Sequence, residues 1–252
     1  IKDLEEHKSE INELDKEFTL FNSKIIKRII QNYDNEIDLV GFHGQTIFHN
    51  SNLKITKQLG DGKLLSQDTQ KIVINNFREE DIVNGGQGAP LTPIFHQLMC
   101  GVLKNVNKFN LPINIINIGG ITNVTQVNDI LNYSRLNAFD IGPGNCLIDE
   151  WIRKNSTKEI DFNGEIAKSG KANELILNQA IENFIQKDYQ KSLDIKDFDI
   201  AFCKGLSLED GCATITKFTA HLIAEGIKYV NDFNNLHPSI NLVCGGGRKN
   251  NF

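Results

Sequence analysis

Short apolar segments of strand length alternate with longer amphipathic segments in this chain, and this alternation restricts its fold more than any other feature. Strands are predicted at 37–42, 53–59, 71–75, 113–118, 123–127 and 240–244. Helices are predicted at 4–32, 63–69, 91–102, 147–154, 173–186 and 208–230. Gly119-Gly120 separates two of the strands and predicts a β-hairpin. Strands that alternate with helices, together with a hairpin, predict an α/β fold with mixed sheets.

The first predicted helix carries a regular apolar stripe. Its apolar residues recur at alternating steps of three and four, with one skipped turn at His7: Leu4, Ile11, Leu14, Phe18, Phe21 and Ile25. This spacing predicts one amphipathic helix that ends near Asn32. Because the stripe covers only about three heptads, docking on a sheet is favoured over a coiled coil.

Composition argues against several classes of protein. The 252 residues carry 27 basic and 32 acidic side chains, and the resulting net charge of −5 disfavours binding to a nucleic-acid backbone. No apolar run approaches the ~18 residues of a membrane helix, so we expect a soluble protein. The five cysteines form no CxxC pair and their number is odd, which favours reduced thiols in the cytoplasm.

The length is sufficient for two modest domains. A change in composition at 105–112 predicts a boundary there, with domains at 1–110 and 111–252. Met99 is the only methionine, and the turn at 245–247, which is typical of a strand-to-helix junction, lies close to the last residue. We therefore expect a fragment that is cut at both ends.

The loop at 140–145, which reads DIGPGN, is the first candidate site. Asp140 places a carboxylate at a strand end, and Gly142 and Gly144 allow a ligand to approach the backbone. The helix predicted to follow would point free N–H groups toward the same space, which predicts an anion site. The alternative is a tight turn in which Asp140 is a capping residue.

Two further polar loops are candidates for binding a small polar ligand. In the first, Arg78 and Asp81 offer a fork-shaped donor and an acceptor before the flexible loop 85–90; the alternative is a linker with a surface ion pair. The second, His43 to Thr46, follows an apolar strand at the edge where α/β proteins bind ligands; the alternative is a structural histidine. No histidine has the spacing of a metal-ligand pair, so no zinc site is expected.

Glycine turns follow two other apolar strands. Gly119-Gly120 and Gly245-Gly246-Gly247 could both hold a phosphate or a nucleoside through backbone N–H groups. Neither turn is part of a Walker loop or of a GxGxxG dinucleotide fingerprint. Each turn is therefore a weak signal when it is taken alone.

In chain order these motifs form a series. They read GFHGQTIFH (41–49), QLGD (58–61), FREEDIVNGGQGAPLTPIFH (77–96), NIGGITN (117–123), FDIGPGNCLIDEW (139–151), KSLDIKDF (191–198) and CGGGRKN (244–250). The series resembles the anhydro-N-acetylmuramic acid kinases, which belong to the sugar kinase/actin/Hsp70 superfamily. The resemblance implies two actin-like, ribonuclease H-like domains around a cleft, with ATP and Mg²⁺ as cofactors and a homodimer as the assembly.

The resemblance also implies a reaction in peptidoglycan recycling. The anhydrosugar, ATP and water would give N-acetylmuramic acid 6-phosphate and ADP, with Asp140 as the catalytic base. The residues implied in ATP binding are Gly119, Gly120, Gly142, Gly144, Asn145, Gly245, Gly246 and Gly247. The residues implied in sugar binding are His43, Gln45, Thr46, Gln58, Arg78, Asp81, Gly85, Gly86 and Gln87.

The sequence departs from the family pattern at several points. The family's DFRRRD reads NFREED at 76–81, and Ile195 stands where an arginine is common. The opening phosphate loop, GTSxDGxD, is absent, so we expect the fragment by itself not to turn over ATP. These departures keep three alternatives open: a levoglucosan-type kinase, a non-catalytic sugar- or nucleotide-binding relative, and an actin-like filament subunit.

Overall fold

A computed structural model describes residues 2–50, 53–107, 109–132, 136–184, 193–233, 235, 237–238 and 240–252. The chain divides into two units, Ile1–Leu91 and Thr92–Phe252. Residues 92–110, which the sequence assigns to the first domain, group with the second unit, and the domain assignment itself stays a prediction. No helix in the described ranges combines the length and the apolar character that a membrane span needs.

The first unit contains four helices and four strands in the residues that the structure describes. They are α1 (Lys2–Glu6), α2 (Lys8–Gln31), β1 (Leu39–Gly41), β2 (Gln45–Asn50), β3 (Ile55–Leu59), α3 (Gly62–Thr69), β4 (Ile72–Ile74) and α4 (Phe77–Val83). Strands β1 and β4 pair in parallel, and β2 and β3 form an antiparallel hairpin.

Three sequence predictions for this unit are wrong. The single helix predicted from residue 4 is interrupted by a turn at His7. The predicted loop at 43–46 runs into β2, where Ile47 is an extra, unpaired residue between Thr46 and Phe48. Such a bulge breaks the alternation from which a strand is recognised. The predicted loop at 78–90 begins instead with α4, so Arg78 and Asp81 lie on a helix.

Two buried polar side chains of helix α2 face the segment that contains α3. Thr19 and Ser23 are fully buried, whereas Phe21 is 62% exposed. The Thr19 hydroxyl accepts a hydrogen bond from the Asp61 amide (2.9 Å), and the Ser23 hydroxyl donates to the Asp68 carboxylate. The apolar stripe docks only in part: Phe18 stacks on Phe42, beside β1, with ring centroids 6.3 Å apart, whereas Leu14, Phe21 and Ile25 are exposed. The polar contacts fix the rotation of the helix, because each buried hydroxyl must keep its partner.

The second unit is built on one mixed sheet. Its longer elements are α5 (Pro93–Asn107), β5 (Ile113–Ile118), β6 (Ile121–Val127), β7 (Leu136–Pro143), α6 (Cys146–Asn155), α7 (Glu165–Ser169), α8 (Glu174–Asn183), α9 (Leu208–Phe233) and β8 (Ile240–Cys244). Short 3₁₀ helices lie at Phe162–Gly164, Ile195–Asp197, Ala201–Cys203 and Gly246–Lys249.

The order of the sheet is β7-β6-β5-β8. Neighbouring strands are antiparallel except for β5 and β8, which are parallel. The predicted hairpin at Gly119-Gly120 and the predicted last strand are confirmed, and with them the α/β class with mixed sheets. The sequence predicts a strand that ends at Asp140, but β7 continues through the predicted loop to Pro143. It too contains a bulge, because Ile141 is unpaired between Asp140 and Gly142.

The core of this unit lies around α9. Trp151 of α6 is 4% exposed, as predicted for a core residue, and its indole N–H donates to the Leu208 carbonyl at 2.9 Å. Gly211 lies beneath the indole ring, where a Cβ would come within 2.1 Å of Trp151 Cζ2. A glycine is thus required for the close approach of α6 and α9.

We expect Gly211→Ala to destabilise the protein by about 1–3 kcal/mol, because the added methyl group overpacks the core against Trp151. Gly101→Ala in α5 is the matched control, since a Cβ there meets no atom within 4 Å. The control should be neutral or stabilise by up to about 1 kcal/mol through the lower entropy of the unfolded chain. Urea unfolding midpoints measure both effects, and equal midpoints for the two variants would contradict this packing.

Candidate functional site

In the first unit, Arg78 joins two of the predicted ligand-binding loops. Its Nε donates to His43 Nε2 at 2.9 Å, and its Nη1 donates to the Gly88 carbonyl at 2.8 Å. Arginine has no acceptor atom, so His43 Nε2 must be unprotonated. The proton of a neutral His43 ring then lies on Nδ1, which is 2.9 Å from the Gly44 carbonyl. The His43 loop and the loop after α4 are therefore held together by one guanidinium.

Asp81 organises the glycine loop that follows α4. Its Oδ2 accepts the Gly88 amide at 2.7 Å, and its backbone carbonyl accepts the Gly86 amide at 2.8 Å. A Cβ on Gly86 would lie 2.2 Å from that carboxylate, while Gly85 has a φ of +93° and open space around it. The carboxylate thus shapes this loop. The ion pairs of the described residues do not include Arg78 with Asp81, so the alternative of a linker with a surface ion pair gains no support.

The β2–β3 hairpin carries the remaining sugar-side candidates. Thr46 and Gln58 are paired across the hairpin, and Gln58 Nε2 donates to Thr46 Oγ1 at 3.3 Å and to Thr56 Oγ1 at 2.6 Å. Gln45 is exposed and donates only to its neighbour's carbonyl, at 3.2 Å. The exposed Gln87 lies in the loop shaped by Asp81.

His49 is a polar residue of this hairpin that the sequence analysis did not select. Its Nδ1 lies 3.3 Å from Thr56 Oγ1. Burial lowers the pKa of His49, the charge of Arg78 lowers it further, and the backbone of Gln87 acts in the opposite direction. His49 could not be recognised from its spacing to His43, because the bulge at Ile47 disrupts the side-chain alternation between the two histidines.

In the second unit, Asp140 lies near the end of β7. It is half-buried between Phe139 and Ile141, which are buried in the core beside Val230. Asp140 Oδ2 accepts the backbone N–H of Leu193 at 2.9 Å. Leu193 belongs to the KSLDIKDF motif, of which Lys191 and Ser192 lie outside the described residues.

The turn after β7 is bonded to the tip of the β5–β6 hairpin. The Gly144 and Asn145 amides donate to the Gly120 and Gly119 carbonyls, at 2.8 and 2.7 Å, and the Cys146 amide also donates to Gly120 at 3.2 Å. The predicted anion site at the start of this helix is therefore wrong for these three N–H groups, because the hairpin already occupies them. Gly142 is paired with Thr122 inside β7.

The third glycine turn, at 245–247, packs against the end of β5 and against Asn145 in the turn after β7. A Cβ on Gly245 would lie 2.4 Å from the Ile118 carbonyl, and a Cβ on Gly247 would lie 2.2 Å from the Ile118 side chain. Gly246 and Gly247 both approach the Asn145 side chain. The structure thus brings together the three glycine turns that the resemblance implies in ATP binding, while the binding itself stays a prediction.

A cavity of about 320 Å³ opens beside this meeting point. It is lined by Asn145, Ile148, Asp149, Ile160, Asp161, Phe162, Asn163, Gly246, Gly247, Lys249 and Asn250. Asp149 is one turn of α6 after Asn145, a spacing that could have identified it from the sequence. Burial raises the pKa of Asp149, and the charge of Arg153 partly offsets this rise.

Four of the five cysteines are core residues, and Cys244 is half-buried. Cys100, Cys146, Cys203 and Cys212 are buried, and burial raises the pKa of each thiol, that of Cys203 to about 12. Within the described ranges, no group of three or more His, Cys, Asp or Glu side chains is arranged to hold a metal ion.

We expect the first unit to lose stability as the pH falls below about 6.5, the ordinary pKa of histidine. Because the folded state lowers the pKa of His49, the unfolded chain binds the proton first, and this stabilisation is fully present only at higher pH. His49→Gln should therefore make the decline of the urea midpoint between pH 7.5 and 5 shallower. The exposed His221→Gln controls for the loss of an imidazole, and a His49→Gln slope equal to that of the wild type would contradict the expectation.

The chain is similar to anhydro-N-acetylmuramic acid kinases of several bacteria. The family model for anhydro-N-acetylmuramic acid kinase matches residues 2–252. The anhydro-N-acetylmuramic acid kinase of Pelagibacter ubique is 53% identical, over 99% of this chain and 66% of the relative. Those of Methylobacterium nodulans and Rhizobium etli are 39% and 35% identical, over 85% and 99% of this chain and 55% and 66% of the relative.

The chain spans 55–66% of the length of these curated relatives. The match nevertheless includes every motif discussed above, because it runs through almost all of the chain. With a family model over residues 2–252 and relatives at 35–53% identity, the chain belongs to the anhydro-N-acetylmuramic acid kinase family.

Proposed function

We propose that the full-length protein is an ATP-dependent kinase that acts on 1,6-anhydro-N-acetylmuramic acid in peptidoglycan recycling. Its products would be N-acetylmuramic acid 6-phosphate and ADP. The observation that carries this proposal is the position of Asp140: its carboxylate is oriented by the Leu193 N–H, on the strand that leads into the cluster of glycine turns. Family membership supplies the substrate class.

The proposed fold has two actin-like domains, at 1–110 and 111–252, with a cleft between them. The parallel pairing of β1 with β4, and the hairpin β5–β6 with β8 parallel to β5, support this assignment. Parallel strands joined through helices are the usual framework of ligand sites in α/β proteins.

In the proposed reaction, Asp140 is the general base. Its carboxylate takes a proton from water, and the water oxygen forms a bond to C1 of the sugar. The C1–O6 bond of the anhydro bridge breaks, and O6 takes the γ-phosphoryl group while ADP leaves. Proton transfer to a positioned carboxylate typically contributes about 10²–10⁴-fold to the rate.

The first unit would bind the sugar. The Arg78–His43 pair and the loop shaped by Asp81 offer charged and polar groups, and the glycines of that loop allow close approach of the hydroxyl groups. Gln45, Thr46, Gln58, Gly85, Gly86 and Gln87 complete the proposed sugar-binding set. The polar side chains of Thr46 and Gln58 are already oriented by each other, so little order has to be gained on binding.

The second unit would bind ATP. The cavity beside Gly246 and Gly247 has the volume of a small-molecule site, about 300 Å³ or more. Backbone N–H groups of Gly120 and of the turn at 245–247 would face the phosphates, with Gly142, Gly144 and Asn145 shaping the turn beside them. The Gly119 N–H donates to the Ile121 carbonyl at 3.3 Å, so Gly119 would contribute through the shape of the turn. Mg²⁺ commonly binds phosphates together with one or two carboxylates and neutralises their charge; Asp149 in the cavity lining fits this role.

We also propose a cytoplasmic homodimer. The five cysteines without a disulfide suit a reducing compartment. Helix α5 exposes Ile94, Phe95, Leu98 and Val102, an apolar face that a second copy could bury.

The substrate is tested with the full-length protein, MgATP and 1,6-anhydro-N-acetylmuramic acid, beside levoglucosan, by mass spectrometry. A product that has gained one phosphate and one water supports the proposed reaction. Turnover of levoglucosan alone would assign the protein to the alternative that the NFREED sequence at 76–81 keeps open. Binding without turnover of either sugar would favour a non-catalytic relative.

Asp140→Asn should lower kcat at least 100-fold, because the amide cannot accept the proton from water. The amide keeps the size of the carboxylate and an oxygen for the Leu193 N–H, so the melting temperature should change little. Steady-state kinetics of the full-length enzyme measure the effect. A variant with more than about a tenth of the wild-type kcat would refute the general-base assignment.

Gly120→Ala should raise the KM for ATP by about tenfold or more without a loss of stability. A Cβ at Gly120 meets no atom of the described residues within 4 Å, so we expect a bound ligand to be what opposes it. Gly101→Ala, also in open space but on α5, should leave the KM for ATP unchanged. Isothermal titration with a non-hydrolysable ATP analogue measures binding directly, and unchanged affinity in Gly120→Ala would exclude this turn from the nucleotide site.

A further inference from the structure

The carboxylate of Asp140 is held by a turn that is remote in the sequence. The Leu193 N–H donates to Asp140 Oδ2 at 2.9 Å, across a separation of 53 residues. Rotation of a carboxylate about its Cβ–Cγ bond is only weakly restricted by its own side chain. This hydrogen bond therefore makes the orientation of the carboxylate depend on the position of the turn.

The turn at 193–198 is closed by reciprocal hydrogen bonds. The Asp194 side chain accepts the Lys196 amide at 3.0 Å, and the Asp197 side chain accepts the Asp194 amide at 2.7 Å. The Asp197 amide donates to the Asp194 carbonyl at 3.0 Å. Residues 194–197 are all exposed, so these bonds, rather than burial, hold the shape of the turn.

The end of the turn is anchored in the aromatic core. The Phe198 ring stacks on Phe184, with ring centroids 5.8 Å apart and an interplanar angle of 19°. Phe184 meets Phe218 of α9 edge-on at 5.8 Å, and Phe218 is 4% exposed. Aromatic pairs in these geometries add to the energy of burial, so the end of the turn is fixed relative to α9.

We propose that the turn at 193–198 is a positioning device for the general base. Its amide fixes the rotation of the Asp140 carboxylate, the Asp194–Asp197 bonds fix the amide, and Phe198 fixes the turn on the core. The inference rests on the proposed function, in which Asp140 accepts a proton from water. Leu193 and Asp194 are positioning residues, since neither needs to touch the substrate.

The direct test compares Leu193→Pro with Leu193→Ala in the full-length enzyme. Proline removes the N–H, whereas alanine keeps it and removes only the side chain. We expect Leu193→Pro to lower kcat about 10–100-fold, with the KM values for sugar and ATP within about twofold. In the pH profile of kcat for Leu193→Pro, the acid limb should move to higher pH, because the lost N–H favoured the ionised form of the Asp140 carboxylate. Leu193→Ala should lower kcat by less than about threefold.

A second pair tests the closure of the turn without a proline. Asp194→Ala removes the acceptor for the Lys196 amide, whereas Asp194→Asn retains one. We expect kcat to fall about tenfold in Asp194→Ala and to recover in Asp194→Asn. The acid limb of the pH profile should move to higher pH in Asp194→Ala and return in Asp194→Asn. Recovery of kcat in Asp194→Asn would show that the hydrogen bond that closes the turn matters, and not the negative charge of Asp194.

The outcomes are distinct. A folded Leu193→Pro variant with the kcat and pH profile of the wild type would overturn the proposal. Equal losses of kcat and melting temperature in Leu193→Pro and Leu193→Ala would also overturn it, because they indicate a structural role only. If the wild type turns over neither anhydrosugar, the proposed function fails first, and the positioning role fails with it.

Discussion

The hydrogen bonds between the β5–β6 hairpin tip and the turn after β7 determine the geometry of the second unit. The Gly119 and Gly120 carbonyls accept the amides of residues 144–146, and this is possible only without a side chain at Gly144, whose Cβ would lie 2.2 Å from the Gly119 oxygen. The contact sets where α6 begins. It therefore also sets the position of Asn145, around which Gly246 and Gly247 close the cavity.

The fold could be predicted from sequence where its signals are local. The Gly119-Gly120 hairpin and helix α9 follow from a turn and from a periodicity, and both were predicted. Strand β2 was missed, and β7 was predicted to end at Asp140 instead of Pro143; each contains a bulge, at Ile47 and Ile141. One extra residue shifts the alternation of side chains by one position, so the periodic signal of a strand is lost in the middle of the element.

The candidate site could be predicted as a set of residues but not as a set of contacts. The motif residues do meet within each unit, as in the Arg78–His43 pair. The bond from Leu193 to Asp140 depends on how distant segments pack, which no local pattern carries. The anion site was inferred from free N–H groups at the start of a helix predicted near Leu147, and the folded chain uses the N–H groups of residues 144–146 for its own carbonyls. Backbone donors can be assigned only after all their competing acceptors are known.

The five cysteines all lie between residues 100 and 244, within the second unit, and the first unit contains none. Because burial raises the pKa of these thiols, little thiolate is present at neutral pH until the surrounding structure opens. The rate at which a thiol reagent labels the four buried cysteines therefore reports the opening of residues 92–252, and residues 1–91 contribute no thiol to the same experiment.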